Sequence, residues 1–259
     1  AHEVGHTLGF MHNMAASAAI PTDSLRSPTF TRKHGTTASI MDYARFNYVA
    51  QPADRGVRLT PPRLGVYDFY AVEWAYRLFP GSKGYEDDAK QLRNLVGKHE
   101  GDPFYRYGLQ QTNTRYDPSA IEEDLSNDPV KAGDYGMANL RFILSNLDKW
   151  IGDEDGGKRK AELYNEILQQ AMRYVRHVFV NVPGIYLYQT SEKSGLPRYK
   201  VVPKDQQKAS AQWLLRQART FATLGNDTLE RKLPYGANKP FKILARDVKG
   251  KTKVATGYS

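Results

Sequence analysis

Residues 1–13 read Ala-His-Glu-Val-Gly-His-Thr-Leu-Gly-Phe-Met-His-Asn. On a helix, residues four apart share a face, so His2 and His6 can offer two imidazoles to one cation at about 2.0–2.1 Å each. Glu3 lies beside His2 on the same turn. Its carboxylate can take a proton from a water held by that cation without ligating the cation itself. His12 lies too far along a straight helix to reach the same point. Gly9 removes the obstacle, because glycine adopts the positive φ that ends a helix and turns the chain back. His12 then arrives as a third ligand. Three protein ligands leave one position open, which is the arrangement of a catalytic zinc rather than a structural one. Five fixed identities at these spacings arise in a random chain of this length roughly once in 10⁵. The chain has no cysteine, so thiolate metal sites and disulfides are excluded.

A second signal follows in the right order. It is Ser39-Ile40-Met41-Asp42-Tyr43, where the resemblance named next implies a methionine-containing turn with Met41 as an apolar floor under the three imidazoles. The two stretches together resemble the metzincin clan of zinc peptidases, whose long motif is the one at the start of this chain. The likeness is nearest to large bacterial zinc-dependent metalloproteases of the Bacteroidetes kind. These share the His-Glu-Val-Gly-His-Thr-Leu-Gly string, an asparagine after the third histidine (here Asn13) and a string like Arg45-Phe46-Asn47-Tyr48 after the turn. The resemblance implies a zinc-dependent endopeptidase with Zn²⁺ as cofactor and a polypeptide as substrate. Its metal ligands would be His2, His6 and His12, its general base Glu3 and its structural residues Gly9 and Met41. Tyr43 would act as a hydrogen-bond donor to the transition state. The resemblance also implies export from the cytoplasm. It further implies an N-terminal sheet subdomain of the same protein, absent from this sequence, against which substrate lies as an added strand. The chain begins one residue before its first ligand, so we expect a piece of a longer protein, with weak activity and partial zinc occupancy on its own. The competing class is a non-catalytic, metal-containing interaction module.

These residues must be held in place. Val4 and Leu8 are expected to anchor the first helix in a core. Residues 14–38 read as a loop, with His34 exposed in it. The run from Leu64 to Tyr76 reads as a buried helix beside the active-site helix, ending near Pro80-Gly81. Asp128-Pro129 reads as an N-cap with proline at the first helical position, and the acidic residues before it lack the glycine and spacing of a calcium loop. Met137, Leu140, Leu144, Leu147 and Ile151 form one helical stripe; Leu163, Ile167, Met172, Val175 and Phe179 form another. The Gly152–Gly157 turn between them predicts a helical hairpin. Residues 185–190 and 198–202 alternate as a β-hairpin around Ser194-Gly195. A last helix is expected over 205–223, with Ala211, Leu214, Leu215, Ala218 and Phe221 inward. The expected fold is mainly α, α+β at most. Residues 1–80 would be the zinc-site half of a catalytic domain and 81–259 a helical C-terminal region.

The net charge of +9 comes from 37 basic and 28 acidic side chains. Much of the excess lies at Lys239, Lys242, Arg246, Lys249, Lys251 and Lys253. No aromatic interleaving or nucleic-acid module accompanies them, so they read as a solvated tail and no nucleic-acid partner is expected. The apolar runs fall short of the ~18 residues that a membrane span requires.

Overall fold

The computed structural model describes residues 1–60, 63–190 and 194–220, with 224, 229, 233 and 234 beyond them. The basic tail and Phe221 lie outside the described residues. Among the described residues are seven α-helices and one two-stranded antiparallel sheet, a mainly α fold.

The largest core lies between α5 (Pro129–Trp150), α6 (Lys158–Phe179) and α7 (Lys204–Thr220). Asp128 caps α5 by accepting from the Lys131 N–H at 3.0 Å, and Pro129 occupies the position where an N–H has no partner. Met137, Leu140, Leu144 and Leu147 are buried along α5, with Ile151 packed at its end. The α6 stripe is rotated from the one expected. Tyr164, Ile167, Leu168, Ala171, Tyr174, His177 and Val178 are buried, whereas Phe179 is exposed. The reason is that α6 turns polar-looking residues inward. Lys160 is buried and reaches Asp148 at 2.8 Å and Asp153 at 2.6 Å, so its charge stays paired. On α7 the buried residues are Ser210, Trp213 and Gln217 instead of the expected Leu215 and Ala218, which are exposed. Trp213 fixes that register: its ring lies against Gly133, and its indole N–H donates to Asp134 at 2.7 Å.

β1 (Ile185–Leu187) pairs antiparallel with β2 (Tyr199–Val201), with Ile185 opposite Val201. The paired part is shorter than the alternation suggested.

Residues 14–38 carry more structure than a loop. Two 3₁₀ turns, Ser17–Ala19 and Thr22–Arg26, precede α2 (Pro28–His34). Ser27 caps α2 by accepting from the Phe30 N–H, and Pro28 follows it. His34 ends this helix half-buried, its ring 4.7 Å from that of Phe30, and is not an exposed loop residue. α4 (Tyr85–His99) was not foreseen.

α3 (Val66–Tyr76) occupies the expected place but is not a buried helix. Phe69 is 66 % exposed and Trp74 48 % exposed. Its apolar residues are spread around the axis, so no single face can bury them all. A polar anchor holds its start. The Asp68 carboxylate accepts from the Gly65 N–H at 2.7 Å, the Ile40 N–H at 3.0 Å and the Ser39 hydroxyl at 2.6 Å. Its far end reaches the first helix, where the Tyr76 hydroxyl donates to the Leu8 carbonyl at 2.8 Å.

Candidate metal centre

α1 (His2–Thr7) is one and a half turns long. It ends as the sequence requires. Gly9 has φ +83°, its N–H donates to the His6 carbonyl at 2.9 Å, and the Phe10 N–H donates to the Gly5 carbonyl at 3.1 Å. This paired closure reverses the chain and places His12 beside His6. Val4 and Leu8 do not anchor the helix. They are 59 % and 42 % exposed, because no described segment covers that face.

Gly5 is the residue of α1 that is buried, and it does the anchoring instead. A Cβ there would fall 2.3 Å from the Met41 Sδ. The thioether can therefore lie against the helix only because position 5 has no side chain. Met41 itself is buried and held by backbone bonds. Its N–H donates to the Ser39 hydroxyl at 3.0 Å, and its carbonyl accepts from the Asn13 N–H at 2.9 Å.

The three imidazoles converge. One nitrogen from each of His2, His6 and His12 lies within 4.8 Å of the others. Each Nδ1 is turned outward to an oxygen: His2 to the Ile40 carbonyl at 2.6 Å, His6 to the Phe10 carbonyl at 2.9 Å, and His12 to the Gln110 side-chain oxygen at 2.6 Å. A carbonyl can only accept, so the Nδ1 atoms of His2 and His6 carry protons and their Nε2 atoms present lone pairs. The Nε2 atoms of His6 and His12 are 3.1 Å apart. Two ligand nitrogens on a tetrahedral zinc are separated by about 3.3 Å, so the His6–His12 pair is spaced for that ion. Tyr43 completes the cluster. Its ring lies 4.4 Å from that of His12 and 5.3 Å from that of His2, and the residue is partly exposed. Glu3 is exposed on the first turn beside His2.

A family model described as Met-zincin matches residues 1–252. The chain belongs to the Met-zincin family. No curated protein and no solved structure matches it. Membership accounts for the metal chemistry of the donor set, since the family name itself denotes zinc proteins with a methionine turn.

In this Met-zincin two residues around the triad escaped the sequence reading. Gly5 stands at a variable position of the motif, and only the approach of Met41 reveals its role. Gln110 comes from far along the chain, in an extended stretch with no periodicity to mark it. Asn13, which the sequence marked only as a likeness, is buried and bonded through both its amide nitrogen and its oxygen. Its amide donates to the Arg106 carbonyl at 2.9 Å, and its oxygen accepts from the Gly108 N–H at 2.9 Å. Asn47 plays a similar part after the turn, donating to the Leu25 carbonyl at 2.7 Å.

Proposed function

We propose that this Met-zincin is a zinc-dependent endopeptidase. The observation that carries the reading is the convergence of three imidazoles whose Nδ1 atoms are all engaged outward, with a carboxylate beside His2 on the first turn. His2, His6 and His12 would hold the zinc. When bound, it supplies Lewis acidity toward water and toward a peptide carbonyl.

The chain's own groups do the rest. Glu3 is a free carboxylate at the rim of the cluster. It takes the proton from the attacking water and passes it to the leaving amine. The Tyr43 hydroxyl, on a ring packed over His2 and His12, donates to the oxygen on which charge develops. A cavity of about 580 Å³ opens beside His2, lined by Ile40, Tyr43, Ala44 and Glu123. Its size is that of a pocket for a whole small ligand, room enough for more than one side chain of a polypeptide held across the centre. Arg45 and Arg173 both pair with Glu123, so that wall carries little net negative charge. No helix among the described residues is long and apolar enough to cross a membrane. We place the enzyme outside the cytoplasm on the likeness to exported bacterial metalloproteases.

Glu3→Ala tests the reading. Zinc-loaded wild type is expected to cleave a degenerate fluorogenic peptide library. Cleavage should stop with a chelator and fall by about 10²–10⁴-fold in the variant, which still binds zinc. Equal cleavage by Glu3→Ala would remove Glu3 from the mechanism. A zinc-loaded wild type that cleaves nothing would favour the interaction module.

A further inference from the structure

We infer that Gln110 is the positioning residue of the third ligand: it fixes the tautomer and ring orientation of His12, so that a segment far beyond the histidine motif is a working part of the metal centre. The inference rests on the zinc-centre reading and deepens it.

The three ligands are oriented differently. His2 and His6 donate to backbone carbonyls, Ile40 and Phe10, which the methionine turn and the helix end supply locally. His12 has no such carbonyl. Its Nδ1 meets a side chain 98 positions away, the Gln110 oxygen at 2.6 Å. An imidazole that gives Nε2 to a metal must carry its proton on Nδ1, and that proton needs an acceptor. The Gln110 amide oxygen supplies it.

The glutamine is held on both sides. Before it, Gly108 donates to the Asn13 oxygen at 2.9 Å and accepts from the Met14 N–H at 2.9 Å. A Cβ on Gly108 would lie 2.5 Å from that of Ala15, so this stretch presses against the residues just after His12. After it, the Gln111 amide donates to the carbonyls of Asp117 and Ala120, both at 2.9 Å, and its oxygen accepts from the Tyr116 N–H at 2.7 Å. Arg106 adds an ion pair to Asp117 at 2.7 Å. Gln110 therefore sits between two fixed neighbours with its side-chain oxygen on the His12 Nδ1. Asn13 couples the two halves of the device, since the residue that follows the ligand also clamps the segment that orients it.

Two near-isosteric variants separate this role from simple packing. Gln110→Met keeps the length of the side chain and removes the acceptor. Gln110→Glu keeps an acceptor and strengthens it. Zinc affinity is measured for the full chain by competition with a chromogenic chelator, and the His12 Nδ1–H resonance is followed by ¹⁵N-edited NMR in the zinc-loaded protein. Gln110→Met is expected to weaken zinc binding about 10–100-fold and to lose the exchange-protected His12 proton. Gln110→Glu is expected to bind zinc at least as tightly as wild type and to keep that proton. Unchanged affinity in Gln110→Met, or equal weakening in both variants, overturns the assignment. A wild type that binds zinc but cleaves no peptide counts against the peptidase reading alone. One that binds no zinc overturns both.

Discussion

Ser17 stands between two buried carboxylates. Its N–H donates to Asp42 at 2.6 Å and its hydroxyl to Asp124 at 2.9 Å. Burial pushes the Asp42 carboxyl up to about 7, against an ordinary value of 3.8, and its other oxygen has no partner. Burial raises Asp124 as well, and the nearby Asp42 charge adds to the shift. A folded-state value above the unfolded one means that the folded chain holds the extra proton between about pH 4 and 7. The stability that Asp42 contributes is therefore complete at low pH and is lost as pH rises through 7. Asp42→Asn keeps an acceptor for Ser17 and removes the charge. In thermal melts of zinc-free protein it should raise the midpoint most at pH 8, less at pH 5, and change it little below about pH 4. The gain at pH 8 should be on the order of a few kcal/mol. A variant less stable than wild type at pH 8 would show that the charged form is the one accommodated. The sequence displayed Asp42 only as a neighbour of Met41. Nothing local says that an aspartate will be buried, because the residues that bury it come from elsewhere in the chain.

At the scale of elements, α5 and α6 meet at small residues. A Cβ on Gly136 would fall 2.6 Å from the Tyr174 ring, which fills the space that the missing side chain leaves. Gly136→Ala improves intrinsic helix propensity by about 1 kcal/mol. Overpacking against a buried ring costs about 1–3 kcal/mol, which is larger. The substitution should therefore lower stability in chemical denaturation, and a net gain would mean that Tyr174 moves aside freely. The α5 stripe was legible because its buried residues are aliphatic and evenly spaced. The inward face of α6 was not, since Tyr164, Lys160 and His177 do not read as core. Lys160 is acceptable there only because Asp148 and Asp153 reach back to it. α3 misled in the opposite direction. A run of aromatic residues signals burial only when one face collects them, and here they encircle the helix.

Across the whole molecule, the metal site draws on widely separated parts of the chain. α1 brings two imidazoles and the turn at Gly9 brings the third. The turn around Met41 packs beneath Gly5, and the stretch from Arg106 to Gln111 closes over His12. Asp68 ties α3 to the turn, and Asn139 of α5 donates to the Tyr48 and Ala50 carbonyls, both at 2.8 Å, so the large helical core supports the segment that leaves the site. The ligand spacing was legible because it depends on helix geometry alone. The supporting contacts are long-range, and a single sequence does not display them. We propose that His2, His6 and His12 hold one zinc with a position open to water. Zinc K-edge X-ray absorption on the loaded chain tests it most directly. The expected result is one zinc per chain with three imidazole nitrogens and one or two oxygens at about 2.0–2.1 Å. A shell of oxygens alone, or a fourth protein ligand closing the site, would contradict it.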